Sequence, residues 1–176
     1  MAADVWVFAY GSLMWRPDFA HEEALSARLY GYHRDFCILS VVHRGSHARP
    51  GLVLGLAPGG SCRGLAFRIA SKEAQAAIAA LDAREQVTGV YIPKTLRVHT
   101  GHGVKLARCY VSDTGHAQFA GRQDIAAQAA RIIGARGQSG CNVEYLQRTL
   151  AALHALGIDD KRLTALGRLC GAISAP

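Results

Sequence analysis

One segment near the N-terminus joins an apolar run to a glycine turn, an arrangement that can bind a negative charge. The segment consists of Val7, Phe8, Ala9, Tyr10, Gly11, Ser12 and Leu13. Where a strand ends in such a turn, several backbone N–H groups lack a strand partner, and Gly11 lets another group approach the backbone closely. Such N–H groups can hold a carboxylate or an oxyanion. An ordinary turn after a strand is the alternative that this pattern leaves open.

Glu85 has the position that a general base needs. It follows a helical pattern over residues 71–84, so it should lie at the C-terminal end of a helix, where the helix dipole disfavours a negative charge. Burial in a cleft would raise the pKa of Glu85 further and make the carboxylate a usable base near neutral pH. We expect Arg84 not to neutralise it, because adjacent residues on a helix do not face one another. A solvated charge at a helix end is the competing interpretation.

Two further side chains could contact a substrate. Arg44 comes just after an apolar strand, where its guanidinium could hold a carboxylate in a bidentate pair. Tyr145 is predicted to lie in the first turn of a helix, from which its hydroxyl could reach a cleft. An arginine that faces water and a tyrosine packed on the surface are the alternatives.

Other kinds of chemical site find little support. His99 and His102 flank a turn, but no cysteine or carboxylate lies at a metal-ligand spacing from them, so we predict no metal site. The five cysteines are odd in number and form no CxxC pair, which favours free thiols in a reducing cytoplasm. The basic residues are scattered and lack interleaved aromatic residues, so we expect no nucleic-acid partner.

Composition predicts one domain over residues 1–176. Half of the 176 residues are apolar and 19% are charged, which provides enough material for a buried core. The net charge of +7 favours anionic partners, a small acidic substrate among them. No apolar run approaches the roughly 18 residues of a membrane span, and no basic leader is visible, so we expect no membrane partner. The sequence makes no prediction of oligomeric state.

Strand patterns dominate the first two-thirds of the chain and helical patterns the rest. After a first strand over 5–10 we predict strands over 28–42, 51–56, 63–69, 90–99 and 105–112. Gly31 could divide the second of these, and Pro58-Gly59-Gly60 should form a turn between the next two. Ser71 and Asn142 are predicted helix N-caps, and a last helix follows Asp159-Asp160. This order of elements predicts an α+β fold with a curved or closed mixed sheet.

Seven short motifs occur in order over residues 7–146. They are VFAYGSLMW (7–15), GYHRDFC (31–37), HRG (43–45), PGLVL (50–54), GLAFR (64–68), LDARE (81–85) and GCNVEYL (140–146). Together they resemble the ChaC family of glutathione-specific γ-glutamylcyclotransferases. The resemblance implies a γ-glutamylcyclotransferase-like fold, a small mixed β-barrel flanked by helices. One departure is Ala9, which stands where the family often has glycine.

The resemblance also implies an activity and a site. The expected reaction converts glutathione into 5-oxoproline and cysteinylglycine without a cofactor. Glu85 would be the catalytic glutamate, the segment Val7–Leu13 would cradle the substrate, and Arg44 and Tyr145 would contact it. Other γ-glutamyl amines or amino acids are alternative substrates. A non-catalytic module that binds an anionic partner is the more distant alternative.

Overall fold

The predicted strands form one closed sheet. The computed structural model describes residues 4–174. The strands of the sheet are β1 (Val5–Ala9), β2 (Glu23–Ser40), β3 (Gly51–Ile69), β4 (Tyr91–Thr100) and β5 (Gly103–Ser112). They form a closed barrel in the order β1-β3-β2-β4-β5, and parallel pairing of β1 with β5 closes it. The prediction of an α+β fold with a small mixed barrel is confirmed.

One helix lies between the third and fourth barrel strands along the chain, and the other helices follow the fifth strand. The helices are α1 (Ser71–Glu85), α2 (Ile125–Ile132), α3 (Asn142–Ala155) and α4 (Lys161–Leu169), and the short strands β6 (Arg136–Gly137) and β7 (Gly140–Cys141) form a hairpin before α3. Asp124 and Asp160 cap α2 and α4 through side-chain hydrogen bonds, whereas Ser71 is the first residue of α1 and not its cap. None of the helices described has the length and apolarity that crossing a membrane would require.

The contacts divide the described chain into two compact units. The described part of unit 1 comprises residues 4–34 and Gly55–His116, and that of unit 2 comprises Asp35–Leu54 and residues 117–174. The long strands β2 and β3 therefore each begin in one unit and end in the other. The single domain over residues 1–176 stays a prediction.

Each unit has its own apolar core. In unit 1, α1 buries Ala74 and Leu81, and the strands bury Phe8, Leu29 and Ile69. In unit 2, α4 packs against α2 and α3. The fully buried residues of that core include Phe36, Ile38, Leu52, Ile132, Leu146 and Leu166. Of these residues, Ile132, Leu146 and Leu166 lie on the three helices, in the part of the chain where helical patterns were predicted.

Two of the long strands are continuous where the sequence predicted a break. β3 runs from Gly51 to Ile69, so the predicted turn at Pro58-Gly59-Gly60 is wrong. Gly59 and Gly60 have φ values of 97° and 70°, which glycine adopts without the steric penalty of a side chain. The strand can therefore change direction there and stay in the sheet. β2 is likewise one strand, and it begins five residues before the predicted start at Arg28.

Asn142 has a structural role that differs from the predicted one. It is the first residue of α3, so its prediction as the N-cap is wrong. Its side chain is fully buried, where Oδ1 accepts a hydrogen bond from Leu52 N at 2.7 Å and Nδ2 donates to Leu52 O at 2.7 Å. Gly51 leaves room for this amide, since a Cβ there would lie 2.4 Å from Asn142 Oδ1. The side chain thus pairs with β3 as a neighbouring strand would.

Replacing this amide should destabilise the protein. We expect Asn142→Ala to lower the free energy of unfolding by about 2–4 kcal/mol, because both backbone groups of Leu52 would lose a buried partner. Urea denaturation monitored by circular dichroism measures the change. Gln147→Ala, an exposed substitution on the same helix, should change stability by less than about 0.5 kcal/mol. Equal effects of the two substitutions would contradict this role for Asn142.

Candidate active site

Glu85 is the last residue of α1, where the sequence predicted it. Its side chain is only 16% exposed. Burial raises the pKa of Glu85 above its ordinary value, and the positive charge of Arg84 offsets this only in part. A carboxylate with a raised pKa can accept a proton at neutral pH and give it up again, as a general base must.

Arg84 does not neutralise Glu85, as expected, but the reason given for that expectation is wrong, because the two side chains do face each other. Arg84 Nε lies 3.6 Å from Glu85 Oε1. The expectation followed from the directions in which neighbouring Cβ atoms point on a helix. An arginine side chain in the last helical turn is long enough to bend back towards its neighbour.

The segment Val7–Leu13 has the predicted form of a strand that ends in a tight turn. Val7, Phe8 and Ala9 are completely buried at the end of β1, and residues 12–14 form one turn of 3₁₀ helix. The first N–H groups of such a turn have no acceptor within it. They are therefore suited to an anionic or polarised oxygen. Binding of a substrate by this segment stays a prediction.

Arg34 holds this turn in place, and sequence reasoning missed it. It is a buried arginine on β2 whose Nε donates to Tyr10 O at 2.6 Å. Its second terminal nitrogen donates to Arg63 O at 2.5 Å. Both acceptors are backbone carbonyls, so Arg34 joins the end of β1 to β3. The sequence did contain a signal for this role, because an arginine within a predicted strand, here in the motif GYHRDFC, must find hydrogen-bond acceptors if it is buried.

A cluster of three side chains, which we call the Asp82 clamp, fixes the end of α1 against β5. Arg108 donates to both oxygens of Asp82, at 2.7 and 2.6 Å, and the Tyr110 hydroxyl donates to Asp82 Oδ1 at 2.6 Å. Burial raises the pKa of Asp82, but these hydrogen bonds outweigh it and the pKa lies below its ordinary value. Asp82 precedes Glu85 by one helical turn. The clamp therefore sets where the Glu85 carboxylate lies.

The same cluster extends to the turn after β1. The Tyr10 hydroxyl donates to Tyr110 O at 2.9 Å. Arg84 also reaches this region, because its guanidinium donates to Ser12 Oγ at 2.9 Å. Unit 1 thus brings Glu85 together with the segment Val7–Leu13.

Arg44 and Tyr145 both belong to unit 2, where they contact each other. The Arg44 guanidinium lies over the Tyr145 ring at 5.5 Å and donates to Cys141 O and to Glu144 Oε2. The Tyr145 hydroxyl accepts a hydrogen bond from Leu54 N at 3.4 Å. These contacts give both residues a packing role within unit 2. Their contact with a substrate stays a prediction.

Within residues 4–174, no three His, Cys, Asp or Glu side chains are grouped so that they could hold a metal ion. A cavity of about 930 Å³ lies in unit 2 between α3, α4 and the segment after α4. It is lined mainly by apolar side chains, such as Leu150 and Ile173, and by none of the predicted site residues.

Comparison with known proteins finds one family. The family model described as ChaC-like protein matches residues 5–172. A protein of Escherichia coli (strain K12) named glutathione-specific gamma-glutamylcyclotransferase is 34% identical over 165 residues, covering 92% of this chain and 71% of the relative. A protein of the same name from Schizosaccharomyces pombe is 35% identical, covering 89% and 86%. The crystal structure of a selenomethionine-labelled γ-glutamyl cyclotransferase specific to glutathione from yeast has a TM-score of 0.89 and 25% identity, covering 96% of each chain.

The Asp82 clamp predicts a stability difference that depends on pH. Asp82→Asn should lower the free energy of unfolding by about 1–3 kcal/mol at pH 7, because the charged acceptor of Arg108 and Tyr110 is lost. The folded protein lowers the pKa of Asp82, so the carboxylate stabilises it above the ordinary value of 3.8, and this contribution disappears at lower pH. Urea denaturation at pH 7 and pH 3 should show the difference between wild type and variant shrinking at pH 3.

Asp159→Asn is the matched control, since Asp159 is exposed. It should leave stability nearly unchanged at both pH values. A difference for Asp82→Asn that is equally large at pH 3 would contradict the role of the ionised carboxylate in the clamp.

Proposed function

The chain belongs to the ChaC-like protein family, and we propose that it cleaves glutathione into 5-oxoproline and cysteinylglycine as a γ-glutamylcyclotransferase. Relatives that match over most of the chain are named glutathione-specific gamma-glutamylcyclotransferase. One observation carries the proposal within the structure. Glu85, a largely buried carboxylate of raised pKa, ends α1 beside the turn that follows β1.

The reaction requires a base of this kind. The α-amine of the γ-glutamyl group is protonated at neutral pH, so it must lose a proton before it can attack. Glu85 takes that proton. The free amine then attacks the side-chain carbonyl carbon of its own glutamyl group and closes a five-membered ring. A carboxylate whose pKa has been raised by burial accepts the proton more readily than an exposed one does.

Collapse of the tetrahedral intermediate completes the reaction. The carbon–nitrogen bond to cysteine breaks, and the ring nitrogen remains as the lactam nitrogen of 5-oxoproline. Over the whole reaction the attacking nitrogen loses two protons and the leaving nitrogen gains two. Glu85 transfers protons between them and ends the cycle ionised. No water is consumed and no bond to the enzyme forms.

The segment Val7–Leu13 supplies the positioning that an intramolecular attack needs. An extended glutathione places its amine away from the carbonyl, so the γ-glutamyl group must be held folded. The N–H groups of the turn that begins at Ser12 are suited to the oxygen that becomes negative during the attack. Positioning and one acid–base group together account for the chemistry, so we propose a reaction without a cofactor.

We also propose that the protein acts in the cytoplasm. Its cysteines, among the residues described, form no disulfide. Proteins of reducing compartments keep their thiols in this state. Glutathione, a small anionic molecule, fits the net charge of +7.

Glu85→Gln should abolish the formation of 5-oxoproline, because the amide cannot accept the proton of the substrate amine. Mass spectrometry of the products formed from glutathione measures the loss, and 5-oxoproline and cysteinylglycine should appear in equal amounts with the wild type. Glu73→Gln, an exposed substitution in the first turn of α1, is the matched control and should keep full activity.

The same variant should be no less stable than the wild type. Because the folded protein raises the pKa of Glu85, ionisation of this residue lowers stability as pH rises, and Gln removes that cost. We therefore expect the Tm of Glu85→Gln at pH 8 to equal or exceed that of the wild type. Appreciable turnover by the variant would exclude Glu85 as the base, and free glutamate as the product would indicate hydrolysis.

We also propose that the Tyr145 hydroxyl contacts the substrate, and Tyr145→Phe tests this contact. If the hydroxyl binds glutathione, KM should rise about 5- to 20-fold with little change in kcat. This is the expected effect because the lost hydrogen bond would stabilise the bound substrate and the transition state equally. Steady-state kinetics with glutathione and with γ-glutamyl-alanine measure both constants. An unchanged KM together with a lowered Tm would show that the hydroxyl stabilises the fold and does not bind the substrate.

A further inference from the structure

We propose that Arg84 is a positioning residue that holds the base Glu85 and the turn at Ser12 together, and that Asp18 holds Arg84 in that position. The inference deepens the proposed function, on which its kinetic part rests. Arg84 does not need to touch the substrate in this role. It would act through the two groups that do.

The guanidinium of Arg84 makes contacts in three directions. One terminal nitrogen donates to Ser12 Oγ at 2.9 Å, and Nε lies 3.6 Å from Glu85 Oε1. The other terminal nitrogen donates to Asp18 Oδ2 at 2.8 Å and to Arg16 O at 3.1 Å. Because the guanidinium is planar and rigid, the bonds at one end determine where the other nitrogens lie.

Asp18 has a backbone conformation that supports a dedicated role. Among residues 4–174 it is the one non-glycine residue with a positive φ, at 57°. A side chain makes that conformation unfavourable, and such residues persist where the surrounding contacts require them. Asp18 accepts hydrogen bonds from Arg84 and from Arg16. We infer that this strained position is retained because it places the carboxylate against Arg84.

Arg84 consequently lies between two carboxylates, those of Asp18 and Glu85. Charged and titratable groups from three elements surround Glu85 at this end of α1. They are Asp82 and Arg84 of the helix, Tyr10, Arg16 and Asp18 from the segment after β1, and Arg108 and Tyr110 of β5. Asp82 and Arg108 are paired with each other in the clamp. Asp18 is therefore the anion that competes directly with Glu85 for Arg84.

This competition predicts opposite effects of two substitutions. Arg84→Met removes the positive charge beside Glu85, so the carboxylate should protonate more easily and the acidic limb of the kcat/KM profile should move to higher pH. Asp18→Asn removes the competing anion while keeping an oxygen acceptor on a residue type that tolerates positive φ. Arg84 then favours the ionised Glu85 more strongly, and the same limb should move to lower pH. A merely structural role predicts no such opposition.

Kinetics with glutathione from pH 5 to pH 9 separate charge from position. Arg84→Met should also lower kcat about tenfold with a smaller change in KM. The reason is that misplacing Glu85 and the turn at Ser12 destabilises the transition state more than the bound substrate. Arg84→Lys keeps the charge but loses the rigid fork, so kcat should fall while the pH limb stays near that of the wild type. Arg97→Met, which removes one exposed positive charge from β4, should change neither quantity.

A direct titration makes the test independent of turnover. In protein labelled with ¹³C at the glutamate carboxyl groups, the Glu85 signal is the one missing from Glu85→Gln. Its titration midpoint should rise in Arg84→Met and fall in Asp18→Asn. Movement in the same direction, or no more movement than in Arg97→Met, would overturn the proposal. If the wild type makes no 5-oxoproline but the midpoints move as expected, the proposed function fails and the Arg84 arrangement stands.

Discussion

The hydrogen bonds that Arg108 and Tyr110 donate to Asp82 connect the last turn of α1 to β5, and the arrangement of the site depends on them. Glu85 follows Asp82 by one helical turn, so its carboxylate can only be where the clamp places the helix end. β5 in turn pairs with β1, which delivers the turn after Tyr10. Closure of the barrel and attachment of α1 are thus parts of one arrangement. This arrangement brings the Glu85 carboxylate at the end of α1 and the turn after β1 into the same region of unit 1.

Glu85 combines two opposing requirements. Burial raises the pKa of Glu85, which suits the base that we propose, yet burial of an ionised carboxylate lowers the stability of the fold. Arg84 reduces this cost, and a full ion pair would make the carboxylate too weak a base. The shared contact of Arg84 with Asp18 leaves Glu85 only partly neutralised. Arg84 thus partly neutralises Glu85, and Asp18 limits how far Arg84 does so.

Much of the fold could be predicted from local patterns, because they report which residues are buried. The ends of β1 and α1, the helical faces of unit 2 and the start of a last helix after Asp160 all follow from apolar spacing and local residue types. The turn predicted at Pro58-Gly59-Gly60 was wrong, because glycine permits a bend within a strand as readily as a turn between two strands. The role of Asn142 was wrong for a related reason. Its amide bonds to β3, and no local pattern reports a partner 90 residues away.

The order and spacing of seven short motifs indicated the family, and local patterns placed Glu85 at a helix end and Tyr10 before a glycine turn. These are properties of short segments, which residue types and intervals express directly. Which groups surround the carboxylate depends on how distant parts of the chain come together in the fold. Arg84 turns back to Glu85, Arg34 bonds to the carbonyl of Tyr10, and Arg108 reaches α1 from β5. A long side chain can hydrogen-bond to any of several groups that folding brings within its reach. The pKa of a carboxyl group depends on which of these partners it has and on how deeply it is buried.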